Sequence, residues 1–118
     1  MSLHSRTAFT RFVTSLPAVT MVEQWGSHVA KVGGKVFALL GKESGDIVFK
    51  VTELSFEGLT QIEGVGQAPY FAKRAWVSVG RNANLPEADL RAYVRGSHKM
   101  IAGGLTRKLR AELGLTEL

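Results

Sequence analysis

The first apolar positions of the chain recur at helical spacing. Phe9, Phe12 and Val13 lie three or four residues apart, while the arginines between them fall on other sides. This pattern predicts an N-terminal helix over residues 5–15, and Pro17 ends it because proline disfavours helical backbone in the residue before it.

The next segment is rich in β-branched and other apolar residues and is broken by short glycine or polar turns. It predicts a short extended piece over 19–23 and strands over 27–32, 35–40 and 46–51. Gly33 and Gly34 alone separate two of these strands, and the two-residue turn that matches strand twist needs positive φ at both positions. We therefore expect an antiparallel meander with a hairpin turn at these glycines.

Helical and strand patterns follow each other again in the second half. Thr52 is a suitable N-cap for a helix to about residue 62, and a loop over 63–69 follows it. Residues 70–79 predict one long strand or two short ones, bent around 72–74. Pro86 opens the last helical region, where Gly96 suits a helix end and Ser97 suits the cap of a further helix to about residue 113.

This order of elements predicts the fold class. Runs of strands separated by helices, without strict alternation, are typical of an α+β two-layer sandwich, here an antiparallel sheet of about five strands packed on helices. A length of 118 residues suits a single domain over 1–118. The chain has no cysteine, no signal-like apolar run and no stretch long enough to span a membrane, so we expect a cytoplasmic protein.

Positive charge is concentrated towards the C-terminus. The formal net charge is +5, and residues 91–110 carry six Lys or Arg side chains and no Asp or Glu. Such a region attracts polyanions in a salt-dependent way, although a solvated basic surface is the ordinary alternative. On a continuous last helix, Lys99, Arg107 and Arg110 would share a side with Gly103, where a phosphate backbone could approach closely. Tight helix packing is the other explanation for that glycine.

Motifs for cofactor or catalytic chemistry are incomplete. Lys35 is followed by Val36, where a phosphate-binding loop needs Ser or Thr, and the first glycine of that loop is replaced by Val29. The run over 64–69 ends in Pro69, where a dinucleotide fingerprint has its third glycine. The three histidines stand far apart, whereas zinc needs three or four converging ligands. We expect no cofactor, no metal ion and no enzymatic activity.

Trp76 could belong to the core or to a binding surface. Strand alternation places it on the same face as Arg74 and Ser78, opposite Val77 and Val79. If the valine face is the core, the indole is exposed and can stack on a base or another flat ligand. If the tryptophan face is buried, the ring only packs, as most tryptophans do.

Five segments taken in order resemble the MmcQ/YjbR family of small bacterial proteins. They are LPAV at 16–19, KVGGKVFALL at 31–40, IVFKV at 47–51, APYFAKRAWVSV at 68–79 and GSHKMIAGGLTRKLR at 96–110. The resemblance covers almost the whole chain. It implies an α+β sandwich like that of type III secretion chaperones and, more loosely, of frataxin-type (CyaY-like) proteins. It also implies DNA binding through a double-wing arrangement.

Carried over residue by residue, the resemblance points to particular side chains of this chain. They are Lys35 in the hairpin, Lys50 in a strand, the pair Lys73 and Trp76, and Ser97. The chain departs from the pattern in two places. His98 stands where many relatives carry an aromatic residue, and Thr106 stands where relatives often have proline.

We therefore expect a non-enzymatic module that contacts nucleic acid, DNA first, mainly through phosphates. The expected contacts are Lys31, Lys35, Lys50, Lys73, Arg74, Trp76, Lys99, Arg107, Lys108 and Arg110. A protein-interaction module, chaperone-like or dimerising, is the alternative. A small-molecule pocket near Trp76 is a third possibility.

Overall fold

The computed structural model describes residues 2–115, and this part of the chain forms four helices and one six-stranded sheet. The elements in chain order are α1 (Arg6–Thr14), β1 (Val19–Gln24), β2 (Ser27–Val32), β3 (Lys35–Gly41), β4 (Ile47–Lys50), α2 (Glu53–Leu59), β5 (Val65–Gln67), β6 (Trp76–Val79), α3 (Glu87–Gly103) and α4 (Arg107–Glu112). Helices and sheet pack together, which confirms the predicted α+β sandwich; the sheet has six strands instead of five.

The sheet is antiparallel throughout, in the order β1-β2-β3-β4-β6-β5. Strands β2, β3 and β4 form the predicted meander, and the extended piece expected over 19–23 is a further strand, β1, which pairs with β2. Val32 pairs with Lys35 across the turn, and Gly33 and Gly34 have φ of 59° and 80°. These angles confirm the predicted two-residue hairpin turn with positive φ at both positions.

The main core lies between the sheet and the helices. Phe9 from α1, Phe37 and Phe49 from the sheet, and Leu90 and Val94 from α3 are all buried in one cluster. Complete burial of such side chains contributes about 1.5–3 kcal/mol each to folding before entropy is counted. A smaller cluster on the outer face of the sheet, opposite the main core, contains Val29, Leu39, Val48, Ala68 and Trp76.

The region between α2 and α3 differs from its prediction. The expected loop over 63–69 contains β5, which pairs with β6 through Val65↔Val79. The strand expected over 70–79 is confined to Trp76–Val79, because Tyr70 and Arg74 have φ of 69° and 64°, values incompatible with strand backbone. Residues 70–75 instead form a covering segment over the outer cluster, with Phe71 packed against it.

The last helical region also differs. Helix α3 continues through the expected break at Gly96 and ends at Gly103, and Thr106 caps α4 by accepting a hydrogen bond from Leu109 N at 3.1 Å. Lys99 and Arg107 therefore lie on two different helices, so the predicted continuous basic side does not form. The apolar stripe of α3 outweighs the small helix penalty of one glycine, about 1 kcal/mol.

Ser97 is not a helix cap; it is a fully buried link between α3 and the sheet. Its Oγ donates to Phe37 O at 2.6 Å and accepts from Lys50 N at 2.9 Å. The register between β2 and β3 shifts so that Phe37 has no partner residue in β2, which makes it the extra residue of a β-bulge. The hydroxyl therefore supplies a hydrogen bond where the ladder is interrupted.

Replacement of Ser97 by alanine should lower the free energy of unfolding by about 3 kcal/mol. The change leaves a buried carbonyl and a part-buried amide without their partner, each at about 1–3 kcal/mol. Urea denaturation of Ser97→Ala measures the loss. Ser55→Ala, the same deletion on the partly exposed helix α2, should be nearly neutral. Equal effects of the two substitutions would contradict the bridging role.

Candidate nucleic-acid interface

The tip of the β2–β3 hairpin lies on the link between α3 and α4. A Cβ added to Gly33 would stand 2.5 Å from Leu105 Cδ1, so the turn backbone touches this buried leucine directly. Only a residue without a side chain permits this contact. It brings Lys31 and Lys35, on either side of the turn, close to the start of α4 at Arg107.

Further basic residues belong to the same end of the sandwich. Lys50 is the last residue of β4, and its amide is bonded to Ser97, two positions before Lys99 in α3. Lys73 lies in the covering segment, which Val51 N holds by donating to Ala75 O at 2.8 Å. We call this region the basic end; its residues are Lys31, Lys35, Lys50, Lys73, Lys99, Arg107, Lys108 and Arg110.

The basic end carries uncompensated charge. Within residues 2–115, none of its eight side chains forms an ion pair. Five of them are exposed, and Lys31, Lys50 and Arg110 are half-buried. Lys35 pairs with Val32, which belongs to the main core, so the Lys35 side chain lies on the helix side of the sheet. Lys31 pairs with Val36, which packs against the outer cluster, so the Lys31 side chain lies on the outer side. The charges therefore surround this end of the sheet.

Arg74 and Trp76 have interaction partners within the protein. The Arg74 guanidinium bonds to Glu53 at 2.8 Å and also to Glu57, and these carboxylates hold the pKa of Arg74 above its ordinary value. It fastens the covering segment to α2. Trp76 is only 9% exposed and packs against Phe71, with 4.5 Å between the ring centroids, which agrees with the packing interpretation.

The histidines have structural partners. His98 is buried, with Nε2 2.8 Å from Pro17 O and its ring edge-on to Phe37. His28 Nδ1 lies 2.6 Å from Glu23 Oε1. Among residues 2–115, no three His, Asp or Glu side chains are grouped as metal ligands, and no helix is both long and apolar enough to cross a membrane.

The opposite end of the sandwich distributes its charges differently. The Glu23 carboxylate contacts Lys42 at 2.7 Å and His28, with Arg6 at 3.9 Å. Hydrogen bonds from Lys42 first, and then from His28, lower the pKa of Glu23 from 4.5. Cations at that end are thus partly neutralised, whereas those of the basic end are not.

A concave site exists on the sheet face that carries Trp76, but Trp76 does not line it. The cleft has a volume of about 620 Å³, and its exposed rings are Trp25 and Tyr70. Trp25 and Tyr70 lie in turns, so no helix or strand periodicity in the sequence points to them. The one sequence signal for Trp25 is its position as a large aromatic residue directly before Gly26, in a two-residue turn.

Comparison with known proteins identifies a family and a fold. A model of the YjbR family matches residues 14–100. The crystal structure of Deinococcus radiodurans protein DR2400, which carries the DUF419 family domain, superposes with a TM-score of 0.84 at 24% identity, covering 94% of this chain and 88% of that one. A protein from Pseudomonas syringae superposes with a TM-score of 0.67 at 18% identity, covering 81% and 97%. No curated protein matches the chain.

Gly33→Ala should destabilise the protein more than Gly34→Ala. Both glycines have positive φ, so alanine costs about 1–2 kcal/mol at either position. Only Gly33 faces Leu105, and overpacking there adds about 1–3 kcal/mol. Chemical denaturation of both variants measures the difference. In a Leu105→Ala background the extra cost of Gly33→Ala should disappear, and its persistence would contradict the contact.

Glu23→Gln should reduce stability in a pH-dependent way. A carboxylate with a lowered folded-state pKa stabilises the fold above its unfolded pKa, and this contribution disappears as pH falls through the folded value. The stability difference between the wild type and Glu23→Gln should therefore be largest above the ordinary carboxyl pKa of 4.5 and shrink as pH falls below it. Thermal unfolding at pH values on both sides of this pKa tests it, with Glu43→Gln, an exposed acid, as the control. A difference that grows on acidification would contradict it.

Proposed function

Starting from the fact that this chain belongs to the YjbR family, we propose that it binds nucleic acid through phosphate contacts at the basic end. The observation that carries the proposal is the presence of eight Lys or Arg side chains at one end of the sandwich, none of them in an ion pair within residues 2–115. Such a surface gains affinity for nucleic acid by releasing the counterions that surround the phosphates.

The shape of the basic end suits the backbone of a duplex. Strand β1 pairs with β2 up to Val32, and Leu105 packs on Gly33, so the hairpin belongs to a broad surface and is not a free ribbon that enters a groove. A broad cationic surface gains most from a duplex, because its phosphate charge density exceeds that of a single strand. Gly33 and Gly34 keep side chains off the tip, while exposed Lys35 lies beside it. Exposed Arg107 and Lys108 of α4 would contact phosphates of the same backbone.

The side chains available at the basic end support binding with little dependence on sequence. Lysine and arginine contacts to phosphates position a protein without reading bases. Single strands are usually held by exposed aromatic rings on which bases stack. Trp76, the ring nearest the basic lysines along the strands, is buried under Phe71 and cannot serve in this way. Duplex should therefore be preferred over single strands of equal length.

Removal of two charges from the basic end should weaken duplex binding and flatten its salt dependence. In Lys35→Gln/Arg107→Gln, the slope of log K against log salt should fall in magnitude by roughly 2, because each phosphate contact contributes about 0.9. Fluorescence anisotropy with a labelled random duplex, at several salt concentrations, measures both quantities.

The matched control is Lys42→Gln/Arg81→Gln, which removes two cations from the opposite end of the sheet. Both double variants lower the formal net charge from +5 to +3. The control should keep the wild-type slope, since only local charge enters the contact count. Equal losses in both variants would mean attraction by net charge alone. Absence of any complex at low salt would reject the proposal.

A further inference from the structure

The cleft on the outer sheet face lies towards the end opposite the basic end. Its floor is formed by Leu39 and Val48, and its rim by Trp25, Tyr70 and Phe71. A volume of about 620 Å³ falls within the range of small-molecule sites, which are mostly apolar with a few polar groups. The nucleic-acid proposal makes no use of any of these residues.

Two of the rim residues hold large rings in unfavourable backbone conformations. Trp25 and Tyr70 have φ of 54° and 69°, in the left-handed region where non-glycine residues cost about 1–2 kcal/mol. Trp25 occupies the first position of the β1–β2 turn, where Asn, Asp or Gly is usual. Neither ring is used for the core, since Trp25 is 67% exposed and Tyr70 is fully exposed. Strain of this kind concentrates at functional sites.

The polar groups of the cleft are gathered around one carboxylate. Asp46 lines the cleft together with Ser44 and Ser78; its amide donates to Ser44 Oγ at 3.1 Å, and Ser78 Oγ lies 3.5 Å from its Oδ2. No ion pair neutralises Asp46 within residues 2–115. Its oxygens therefore keep acceptor capacity for a donor from outside the protein.

We propose that this cleft binds a small planar aromatic molecule that carries an amine or a ring N–H. The exposed rings of Trp25 and Tyr70 would stack on the flat faces of the ligand, and Asp46 would accept its hydrogen bond. The carboxylate also disfavours an anionic ligand, although the whole chain is positively charged. The site is therefore distinct in chemistry and in position from the basic end.

Tryptamine and indole-3-acetate form a matched pair of probes, because they share one ring and carry opposite charges. The full chain contains two tryptophans, so two indole N–H signals appear in its ¹H–¹⁵N correlation spectrum, and Trp25→Phe assigns them. Titration with tryptamine should shift the Trp25 signal saturably, with a dissociation constant of about 1 mM or tighter. Indole-3-acetate should bind at least about tenfold more weakly. Adenine, planar, uncharged and amine-bearing, should shift the same signal.

Two variants separate binding from folding. Tyr70→Gly removes the ring and suits the positive φ, so its melting temperature should not fall, while tryptamine affinity drops about tenfold. Asp46→Asn should reduce the preference for tryptamine over indole-3-acetate to about twofold or less. Leu54→Ala, an exposed apolar side chain on α2, is the control and should leave affinity unchanged.

Three results would overturn the proposal. The first is the absence of a saturable Trp25 shift with both tryptamine and adenine. The second is equal or tighter binding of indole-3-acetate at the Trp25 signal, because it would exclude the acceptor role of Asp46. The third is an unchanged tryptamine affinity in Tyr70→Gly.

Discussion

The hydrogen bonds of Ser97 are the interaction on which the arrangement of this protein most depends. One hydroxyl joins α3 to the bulge at Phe37 and to the end of β4 at Lys50. The bulge lets Phe37 and Ala38 both enter the main core, and the hydroxyl compensates the interrupted ladder. With α3 held in this position, Leu105 reaches the hairpin turn at Gly33. The surroundings of the basic end thus follow from one buried serine.

The two ends of the sandwich differ in how their charges are paired. Around the hairpin, lysines and arginines have no carboxylate partners within residues 2–115, while at the other end Glu23 engages Lys42 and His28. Asp46 lines the cleft and forms no ion pair within residues 2–115. The proposed phosphate contacts and the proposed aromatic-amine site therefore require opposite charges and lie at different places, so their ligands would not compete.

The covering segment 70–75 explains why the outer face of the sheet is neither bare nor fully closed. Arg74 fastens it to α2 through Glu53 and Glu57, and Phe71 covers Trp76. Tyr70, the first residue of the segment, lies at the rim of the cleft and is fully exposed. Two residues expected to contact nucleic acid thus have internal partners, and the cleft on this face is lined by Trp25, Tyr70 and Phe71 and not by Trp76.

Local sequence was sufficient to predict α1, the β2–β4 meander and the turn at Gly33 and Gly34, because hydrophobic period and turn chemistry act between near neighbours. It also showed where Lys and Arg are concentrated. It could not predict β5, the continuation of α3 through Gly96, or the partners of Arg74. Nor could it place Trp25 and Tyr70 on one cleft. Each of these depends on contacts between residues distant in the chain, and packing energy from such contacts outweighs local preferences of about 1 kcal/mol.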